Sequence, residues 1–499
     1  MNKRRFLVLF VIFYLVLKVT PLLNNNFFFT MDQGDDAVNL RNMVFNREFY
    51  WHGPLTAIDG LYTGPLWYYF LLPGYLLFNF HPFGGVFTLI LLNLGLSLML
   101  YRFSAKFLTP IKAAVLIFSL QFFWDFYDTS RYAFNPFPAV FLTFLIIISL
   151  VNTYFGNRKY LYWSALAAGL GFHFEISYAI PLTFLLFSTT LYFLKNSLLN
   201  FTNFFKALFI FLSFFVFHFV SELQNNFSQT KSLVYYLYDK SFETKDYAQI
   251  IFNILIDIPG KTIFPLISII GFLCYLCLTF YFLVKVKKKE IKIFVVLSNL
   301  LLAINLIWFL FGPEWQTWHT IFLPILLFVS VLLMIFSLSR KISIILFIFV
   351  MASQLMVFIP RYVQYFRVSE DPSILANEIK AVDWVYEKAE GQGFSVYNYL
   401  PSVLDYPYQY LFWWHGLRKY GYLPCEYASY PGAPGIFVPN KKSFVEPKKC
   451  GDLRFLIVEP NLKVPELREN WINELKQGYK LIEESNSGQI LIQKYLPDN

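Results

Sequence analysis

Long apolar stretches recur along this chain, and they constrain its fold more than any other feature. A stretch of about 18 or more apolar residues is long enough to cross a bilayer core of roughly 30 Å. The composition agrees, because 57% of the 499 residues are hydrophobic, 21% are aromatic and only 15% are charged. Ordinary soluble proteins are far less apolar. The sequence therefore predicts a polytopic α-helical membrane protein.

Hydropathy, together with the positions of basic residues, predicts about eleven transmembrane helices. The predicted spans are residues 6–23, 84–101, 112–125, 137–155, 161–174, 176–194, 204–221, 262–284, 293–311, 319–338 and 342–360. Basic clusters then all fall on one side, at residues 3–5, 102–112, 158–159, 195, 285–292 and 340–341. The positive-inside rule makes that side cytoplasmic, so we expect a cell-membrane protein with a cytoplasmic N-terminus and an outer C-terminus.

The N-terminal stretch MNKRRFLVLFVIFYLVLKVTPLL begins with basic residues, as a signal peptide does. No small-residue cleavage site follows it, so we interpret it as an uncleaved first span. The formal net charge of +9 comes from clusters that lie between apolar stretches. Membrane topology explains such clusters better than a nucleic-acid partner does, so we expect the lipid bilayer and no nucleic acid.

The sequence divides into two predicted domains. Residues 1–360 form a transmembrane domain whose first outer loop is 24–83. Within that loop, the segment 64–80 contains Pro65 and Pro73, which favours an interfacial or re-entrant helix over a further span.

The remaining residues, 361–499, are more polar and predict a small extracytoplasmic α/β domain. Helical periodicity covers 373–393, and alternating or continuous apolar patterns predict strands near 394–400, 453–460 and 489–496.

Four cysteines are too few for a disulfide framework. Cys274 and Cys277 lie in an apolar stretch and are interpreted as small packing residues, although their spacing also occurs in metal and redox sites. Cys425 and Cys450 lie in the polar C-terminal region, where a disulfide between them is an open alternative.

Three aspartates follow the first predicted span, in the stretch MDQGDDA. In a helix that begins here, Asp32 and Asp36 are four residues apart and share a face. One interpretation is a solvated helix start, because carboxylates in the first turn offset the helix dipole. The alternative is a catalytic site, because a carboxylate at the bilayer surface can meet the head group of a lipid-borne substrate.

A family resemblance supports the catalytic alternative. MDQGDDAVNLRNMVFN, followed by GLYTGPLWYYFLLPGYLLFNFHPFGG, resembles the first outer loop of integral-membrane C-type glycosyltransferases. It is similar in particular to the bacterial protein O-mannosyltransferase and aminoarabinose-transferase branch. There, an Asp-Glu or Asp-Gln motif follows the first span and an aromatic interfacial segment comes next. Further similar segments, within about the first 360 residues, are 128–141, 169–182, 219–227 and 314–324.

The resemblance implies a chemical role for the acidic cluster. A polyprenyl-phosphate-linked sugar would be the donor, and Asp32 would be the general base on an acceptor hydroxyl. The acceptor would be a lipid-linked glycan, a surface polymer or a protein. Direct displacement would invert the anomeric centre. Within the motif, Asp36 is expected to orient Asp32, and Asp35 is expected to face solvent.

A departing lipid phosphate needs a cationic or hydrogen-bonding site. The candidates are Arg131, His319 and Arg361, all predicted at the outer membrane boundary. Arg131 is the first choice, because a guanidinium fork matches phosphate oxygens. Two alternatives stay open: Arg131 as an interface residue paired with Asp128, and His319 as a member of an aromatic belt.

Five further residues are candidate substrate contacts: Gln33, Asn135, His173, Glu175 and Glu222. His173 and Glu175 lie at the end of a predicted span, where ionisable groups are costly unless they are paired or functional. We expect them either to satisfy each other or to contact the substrate.

Two of these residues depart from the family pattern. Gln33 replaces the commoner Glu, and Asn135 stands where many members have an acidic residue, which weakens a two-carboxylate mechanism. No cofactor is implied with certainty. A divalent cation, Mg²⁺ or Mn²⁺, stays open, since aspartate oxygens are suitable ligands.

The C-terminal stretch 405–427, DYPYQYLFWWHGLRKYGYLPCEY, is rich in aromatic residues. They either form a carbohydrate-stacking face or dock the domain on the membrane, and docking is the preferred interpretation.

The sequence leaves two other classes of function open. A transporter or flippase of a lipid-linked intermediate would show repeats and mid-membrane charges, whereas here the charges gather at one face. A non-catalytic scaffold with an outer domain is the third alternative. The leading prediction is a membrane glycosyltransferase.

Overall fold

The computed structural model describes residues 3–56, 58–239, 246–402, 404–432 and 451–498. Most of the chain up to residue 364 is helical. The helices in this part are α1 (Lys3–Val19), α2 (Met31–Phe45), α3 (Leu66–Leu77), α4 (Phe83–Ser104), α5 (Pro110–Leu120), α6 (Trp124–Asp128), α7 (Pro138–Tyr154), α8 (Tyr160–Gly171), α9 (Ile176–Lys195), α10 (Phe201–Ser213), α11 (Val216–Gln224), α12 (Ser228–Asp239), α13 (Tyr247–Ile251), α14 (Ile258–Lys261), α15 (Ser268–Lys285), α16 (Lys289–Phe311), α17 (Phe322–Phe336) and α18 (Arg340–Gln364).

Eight helical stretches in the described part of the chain are long and apolar enough to cross a membrane. They are Arg5–Asn25, Phe83–Ser104, Ile176–Lys195, Phe201–Gln224, Ser268–Lys285, Lys289–Phe311, Thr317–Phe336 and Arg340–Gln364. The predicted helical membrane fold is therefore confirmed.

The other three predicted spans contain α5, α7 and α8, which have 11, 17 and 12 residues. A straight crossing needs about 20 residues, so the count of eleven spans stays a prediction. The segment 64–80 contains α3, a helix of 12 residues with Pro73 inside it.

The predicted basic clusters meet at one end of the helical bundle. Phe6 lies against Tyr101, with ring centroids 5.4 Å apart. Lys112 Nζ donates to the Phe336 carbonyl at 2.6 Å, and Lys288 Nζ donates to the Phe107 carbonyl at 3.2 Å. Lysines that bond helix-end carbonyls also complement the negative ends of the helix dipoles. The first outer loop lies at the opposite end of α1.

The C-terminal region is a five-stranded sheet with helices on both faces. Its elements are α19 (Leu375–Ala389), β1 (Phe394–Tyr399), α20 (Tyr406–Leu411), α21 (Leu417–Tyr420), β2 (Glu426–Ala428), β3 (Leu453–Val458), α22 (Pro465–Leu475), β4 (Tyr479–Ser487) and β5 (Ile490–Pro497). The strand order is β2-β1-β3-β5-β4. β1 runs parallel to β2 and β3, whereas β5 runs antiparallel to β3 and β4.

The C-terminal region is tied to the chain that leaves α1. Phe29 N donates to the Ser373 carbonyl at 2.9 Å, and Leu375 N donates to the Phe27 carbonyl at 3.0 Å. One apolar core continues from the membrane helices through α2 and α3 into α19, α20 and the sheet. This packing places the C-terminal region directly against the first outer loop.

Candidate active site

The acidic cluster lies on α2, and its first turn is fixed by a capping box. Thr30 N and Thr30 Oγ1 both donate to Gln33 Oε1, at 3.0 and 2.7 Å. The same Gln33 side chain donates through Nε2 to the Ala133 carbonyl at 2.6 Å. A glutamate could accept at this position but could not donate. The glutamine therefore joins α2 to the loop that carries Arg131.

Asp36 points into the protein. It is 4% exposed and accepts a hydrogen bond from Trp67 Nε1 at 2.8 Å. Burial raises the pKa of this carboxyl well above its usual range. This hydrogen bond fixes α2 to α3. The sequence predicted that Asp36 orients Asp32, and the structure gives Asp36 a hydrogen-bond partner on α3.

Asp35 does not face solvent, so that expectation is wrong. Its side chain is half-buried and accepts from Asn39 Nδ2 at 3.1 Å, and the same amide donates to the Tyr68 hydroxyl at 3.0 Å. Burial, with the nearby Asp32 carboxylate, raises the pKa of Asp35 to about 7.

Asp32 is the most exposed of the three aspartates. The protein around its carboxyl still excludes enough solvent to raise its pKa above the ordinary value. An accessible carboxylate that is only partly solvated can accept a proton from a bound hydroxyl.

Two of the three phosphate candidates meet in one stack, which we call the cation–aromatic stack: Arg131, Tyr365, Trp124 and Arg361. The Arg131 guanidinium carbon lies 3.2 Å from the Tyr365 ring centroid. Tyr365 and Trp124 are stacked with centroids 5.6 Å apart, and the Arg361 guanidinium carbon lies 5.2 Å from the Trp124 ring. Aromatic faces attract cations, so the two rings hold two guanidinium groups near each other.

The alternative pairing of Arg131 is also present. Arg131 Nη1 lies 2.9 Å from Asp128 Oδ1, and the Arg131 side chain is 4% exposed. Its Nη2, by contrast, is buried without a hydrogen-bond partner. Unmet buried donors are costly, so Arg131 has a free donor for an anion.

Lys18 is a third cation near the cation–aromatic stack, and it was not among the residues predicted from the sequence. Lys18 is 2% exposed, donates to the Tyr127 carbonyl at 3.1 Å and lies 4.3 Å from the Tyr127 ring centroid. It interacts electrostatically with Asp128 and Arg131. The sequence does favour a functional role for Lys18, because this residue is an isolated charge near the end of an apolar span.

Tyr132 connects the cations to the acidic cluster. Its phenol lies close enough to Asp32, Asp128, Arg131 and Tyr365 to interact with them electrostatically. The structure therefore brings Asp32, Arg131 and Arg361 into one neighbourhood, although nearly 330 residues separate the first from the last.

His319, the third phosphate candidate, and Asn135 are not members of the cation–aromatic stack. The His319 ring is 5% exposed, stacks on Phe309 at 5.6 Å and accepts from Gln316 N through Nδ1 at 3.3 Å. Asn135 Nδ2 donates to the Phe174 carbonyl at 2.6 Å. Both side chains thus have contacts that stabilise loops.

The predicted mutual pairing of His173 and Glu175 is wrong. His173 Nε2 donates to the Phe214 carbonyl at 3.0 Å, and Glu175 Oε1 accepts from Ser177 N at 3.0 Å to cap α9. The His173 ring packs directly on Gly64, where a Cβ atom would collide with it. Gly64 therefore lets the start of the GPLW segment approach this histidine.

Glu222 stabilises the turn between α11 and α12. Its Oε2 accepts from Thr230 Oγ1 at 2.8 Å and from Thr230 N at 3.2 Å. Its neighbour Ser221 Oγ accepts from Gln229 Nε2 at 2.9 Å. Gln229 in turn accepts from Tyr62 N at 3.0 Å, which ties α12 to the first outer loop.

The aromatic stretch 405–427 docks on protein. Tyr410 donates to the Phe80 carbonyl at 2.5 Å, and Trp414 Nε1 donates to the Asn79 carbonyl at 3.1 Å. Phe45 and Trp413 lie edge to face at 5.3 Å. The rings of Tyr410, Trp413 and Trp414 are buried against the first outer loop and form no open carbohydrate face.

The sequence also left a disulfide and a divalent-cation site open. Cys425 is disulfide-bonded, and Cys450 lies outside the described residues. Cys274 and Cys277 are free and exposed on α15. Within the part of the chain that the structure describes, no three His, Cys, Asp or Glu side chains are placed to hold a metal ion.

Comparisons with known proteins agree with this architecture. No protein-family model matches the chain, and no curated protein does. Among solved structures, it is similar to ArnT from Cupriavidus metallidurans bound to undecaprenyl phosphate, with a TM-score of 0.61 and 11% identity. The apo state of the same protein gives a TM-score of 0.60 and 12% identity. Both alignments cover 99% of this chain and 98% of the other.

ArnT is an aminoarabinose transferase of the C-type glycosyltransferase class. The alignments extend over the membrane helices, the first outer loop and the C-terminal sheet together. This chain therefore has the ArnT fold, as the resemblance in its first outer loop predicted.

Proposed function

We propose that this protein is a membrane glycosyltransferase that moves a sugar from a polyprenyl-phosphate donor to an acceptor hydroxyl. The observation that carries the proposal is the common neighbourhood of Asp32 and the cation–aromatic stack, at the exit of the first span. A base and an anion site side by side are what such a transfer needs. The solved ArnT structure with undecaprenyl phosphate supports a polyprenyl-phosphate partner for the same fold.

In the proposed reaction, Asp32 accepts the proton of the acceptor hydroxyl as its oxygen attacks the anomeric carbon. The bond from the anomeric carbon to the phosphate oxygen breaks, and the polyprenyl phosphate leaves with the electron pair. Displacement from the face opposite the phosphate inverts the anomeric centre. No covalent enzyme intermediate is required.

The leaving phosphate would bind to the cations at the stack. Arg131 offers its free Nη2 donor, while Asp128 and Tyr365 hold the guanidinium in place. Arg361 is more exposed and would bind the phosphate from the solvent side, and Lys18 would add charge from α1. Cations fixed before the reaction stabilise charge without reorganising during it.

The orientation in the membrane is part of the proposal. All basic clusters lie at one end of the bundle, and positive residues are retained on the cytoplasmic side. The acidic cluster, the cation–aromatic stack and residues 361–499 would then lie on the outer face. In this proposal, residues 1–360 are the transmembrane domain and residues 361–499 are the outer domain.

Binding of the lipid phosphate tests the proposal. The full chain, reconstituted in lipid nanodiscs, should bind undecaprenyl phosphate, and Arg131→Gln should weaken that binding by tenfold or more, about 1.4 kcal/mol. Arg158→Gln at the basic end is the matched control and should bind like the original chain. Equal affinity for Arg131→Gln and the control would contradict the phosphate site.

A comparison of glycans would identify the products. Lipid-linked and surface glycans should differ by one sugar between cells with and without the gene. Identical glycans and glycoproteins in both strains would overturn the proposed activity.

A further inference from the structure

An exposed, mostly apolar stripe runs along α12. Its members lie three or four residues apart, so they share one side of the helix. Val234, Tyr235 and Tyr238 are 60%, 69% and 85% exposed, and Lys231 and Phe227 are exposed as well. We call these five residues the α12 stripe. Exposed apolar surface of this kind marks a site of interaction.

The opposite side of α12 is fixed on protein. Gln229 is buried, and its amide accepts from Tyr62 N at 3.0 Å and donates to Ser221 Oγ at 2.9 Å. Three residues further along, Ser232 lies against Gly60, where a Cβ atom would be 2.5 Å from Ser232 Oγ. The helix therefore cannot rotate to bury its stripe, which points away from the first outer loop.

The first turn of α12 lies at the end of a membrane span. The span Phe201–Gln224 ends just before it, and Asn226 and Phe227 turn the chain with positive φ angles of 52° and 58°. Glu222 Oε2, in the last turn of the span, accepts from Thr230 Oγ1 at 2.8 Å. This bond holds the start of α12 at the level where the span leaves the bilayer.

The exposed side of the span leads into the α12 stripe. Val216, Phe219 and Leu223 are exposed on α11 at helical spacing, and Phe227 follows Leu223 by four residues. Exposed apolar side chains of a membrane span face the acyl chains. The lipid-facing surface of α11 thus continues through Phe227 onto α12.

We propose that the α12 stripe binds the bilayer interface. A helix with one apolar side lies in the plane of that interface, and tyrosine rings are enriched there because they have an apolar body and a polar tip. Lys231 can bury its alkyl stem and place its ammonium group beside lipid phosphates. The partner is therefore a phospholipid surface. This inference does not depend on the proposed sugar transfer.

Binding of α12 to the bilayer would give the first outer loop a fixed height. Residues 60–62 contact the buried side of α12, through the Gln229 bond and the close approach of Gly60 to Ser232. The loop would then be held at the membrane surface by a contact outside the spans.

Quenching by spin-labelled lipids tests the proposal. The two free cysteines of α15 are first removed as Cys274→Ala and Cys277→Ala. In this background, Tyr235→Cys carries a fluorescent probe, and the full-length protein is placed at one chain per nanodisc of phosphatidylethanolamine and phosphatidylglycerol. Lipids with a nitroxide near the head group should quench this probe as strongly as a probe at Phe219→Cys on the span.

Two controls define the signal. The background chain without an added cysteine gives the blank, and Asn473→Cys places the probe on exposed α22, which packs on the sheet through a core separate from that of the membrane helices. The Asn473→Cys probe should escape quenching. Quenching at position 235 as weak as at position 473 would overturn the proposal, whether water or protein covers the stripe.

Hydrogen exchange supplies a second test without a label. A helix of 12 residues is marginal alone, so α12 depends on its contacts. The double variant Tyr235→Ala and Tyr238→Ala should exchange the amides of residues 231–238 about tenfold faster in nanodiscs. Alanine favours helix more than tyrosine does, so a change in propensity would act in the opposite direction.

Tyr430→Ala, which removes an exposed tyrosine of the C-terminal region, is the matched control and should leave this exchange unchanged. Equal exchange over residues 231–238 in the double variant and the original chain would overturn the proposed lipid contact.

Discussion

At the scale of single residues, the acidic cluster shows that neighbouring aspartates have different environments. Asp36 is bonded to Trp67, Asp35 shares Asn39 with Tyr68, and Asp32 is accessible. The sequence revealed the cluster, and motif order predicted Asp32 as the base. It predicted a solvent-facing Asp35, which is wrong, because the surroundings of this side chain come from α3 and α20.

The pH dependence of transfer tests the pairing of Asp32 with Asp35. A base works only when it is ionised, so a raised pKa of Asp32 places the acid limb of the pH–rate profile above the ordinary carboxyl range. The pKa of Asp35 is about 7, and the Asp32 charge contributes to that rise, so Asp35 is still protonated while Asp32 ionises. Asp35→Asn should therefore leave the acid limb at the same pH. Rates across pH 4 to 9, roughly the range over which carboxyl and imidazole groups titrate, would show this. A limb displaced to lower pH in Asp35→Asn would contradict this order of ionisation.

Gln33 gives a prediction about stability. Gln33→Glu keeps the bond from Thr30 but loses the bond to the Ala133 carbonyl and places a carboxylate beside that oxygen. The free energy of unfolding should fall by about 1–3 kcal/mol. Thermal unfolding in detergent would measure this loss, with Gln392→Glu on the exposed surface as the control. Equal loss in both variants would contradict the role given to the Ala133 bond.

At the scale of elements, hydropathy and periodicity were sufficient for the long apolar helices, for α19 and for three strands of the C-terminal sheet. The helix predicted over 373–393 is α19, and the three predicted strands are β1, β3 and β5. The sequence pattern did not reveal β2, β4 or α22. β2 has only three residues, and β4 is a polar edge strand whose pairing with β5 fixes it. Such elements depend on distant partners and have little local signal.

The contact between α2 and α20 gives a prediction at this scale. Gly34→Ala would place a methyl group against the backbone of Tyr406 and Pro407, so the two helices would have to separate. We expect a loss of about 1–3 kcal/mol in the free energy of unfolding and faster proteolysis near residue 405. Gly95→Ala on α4 is the control, because its added Cβ meets only Phe141 at 3.8 Å. Normal resistance to protease in Gly34→Ala would contradict the close contact.

At the scale of the whole molecule, the acidic cluster and the cation–aromatic stack come from distant parts of one chain. Hydropathy predicted the helical membrane fold, and basic residues predicted which loops share an end. Sequence spacing could not reveal that Tyr365, after the last span, separates Arg131 from Trp124. It also could not show that the start of α20 docks on the helix that carries the acidic cluster.

Orientation in the membrane is testable at this scale. An alkaline phosphatase fused to the C-terminus should be active, because the enzyme folds only outside the cytoplasm. The same reporter fused after Ser339, at the basic end of α18, should be inactive. The reverse pattern would contradict the positive-inside assignment and would place the acidic cluster in the cytoplasm.

The central claim is that Asp32 removes the proton from the acceptor hydroxyl, and one measurement tests it most directly. Single-turnover transfer by Asp32→Asn should fall by about 10²–10⁴-fold, the range that general base catalysis contributes, while undecaprenyl phosphate binds as before. Thermal unfolding of the variant should match that of the original chain. Transfer at the original rate by a folded Asp32→Asn protein that binds the lipid would contradict the account.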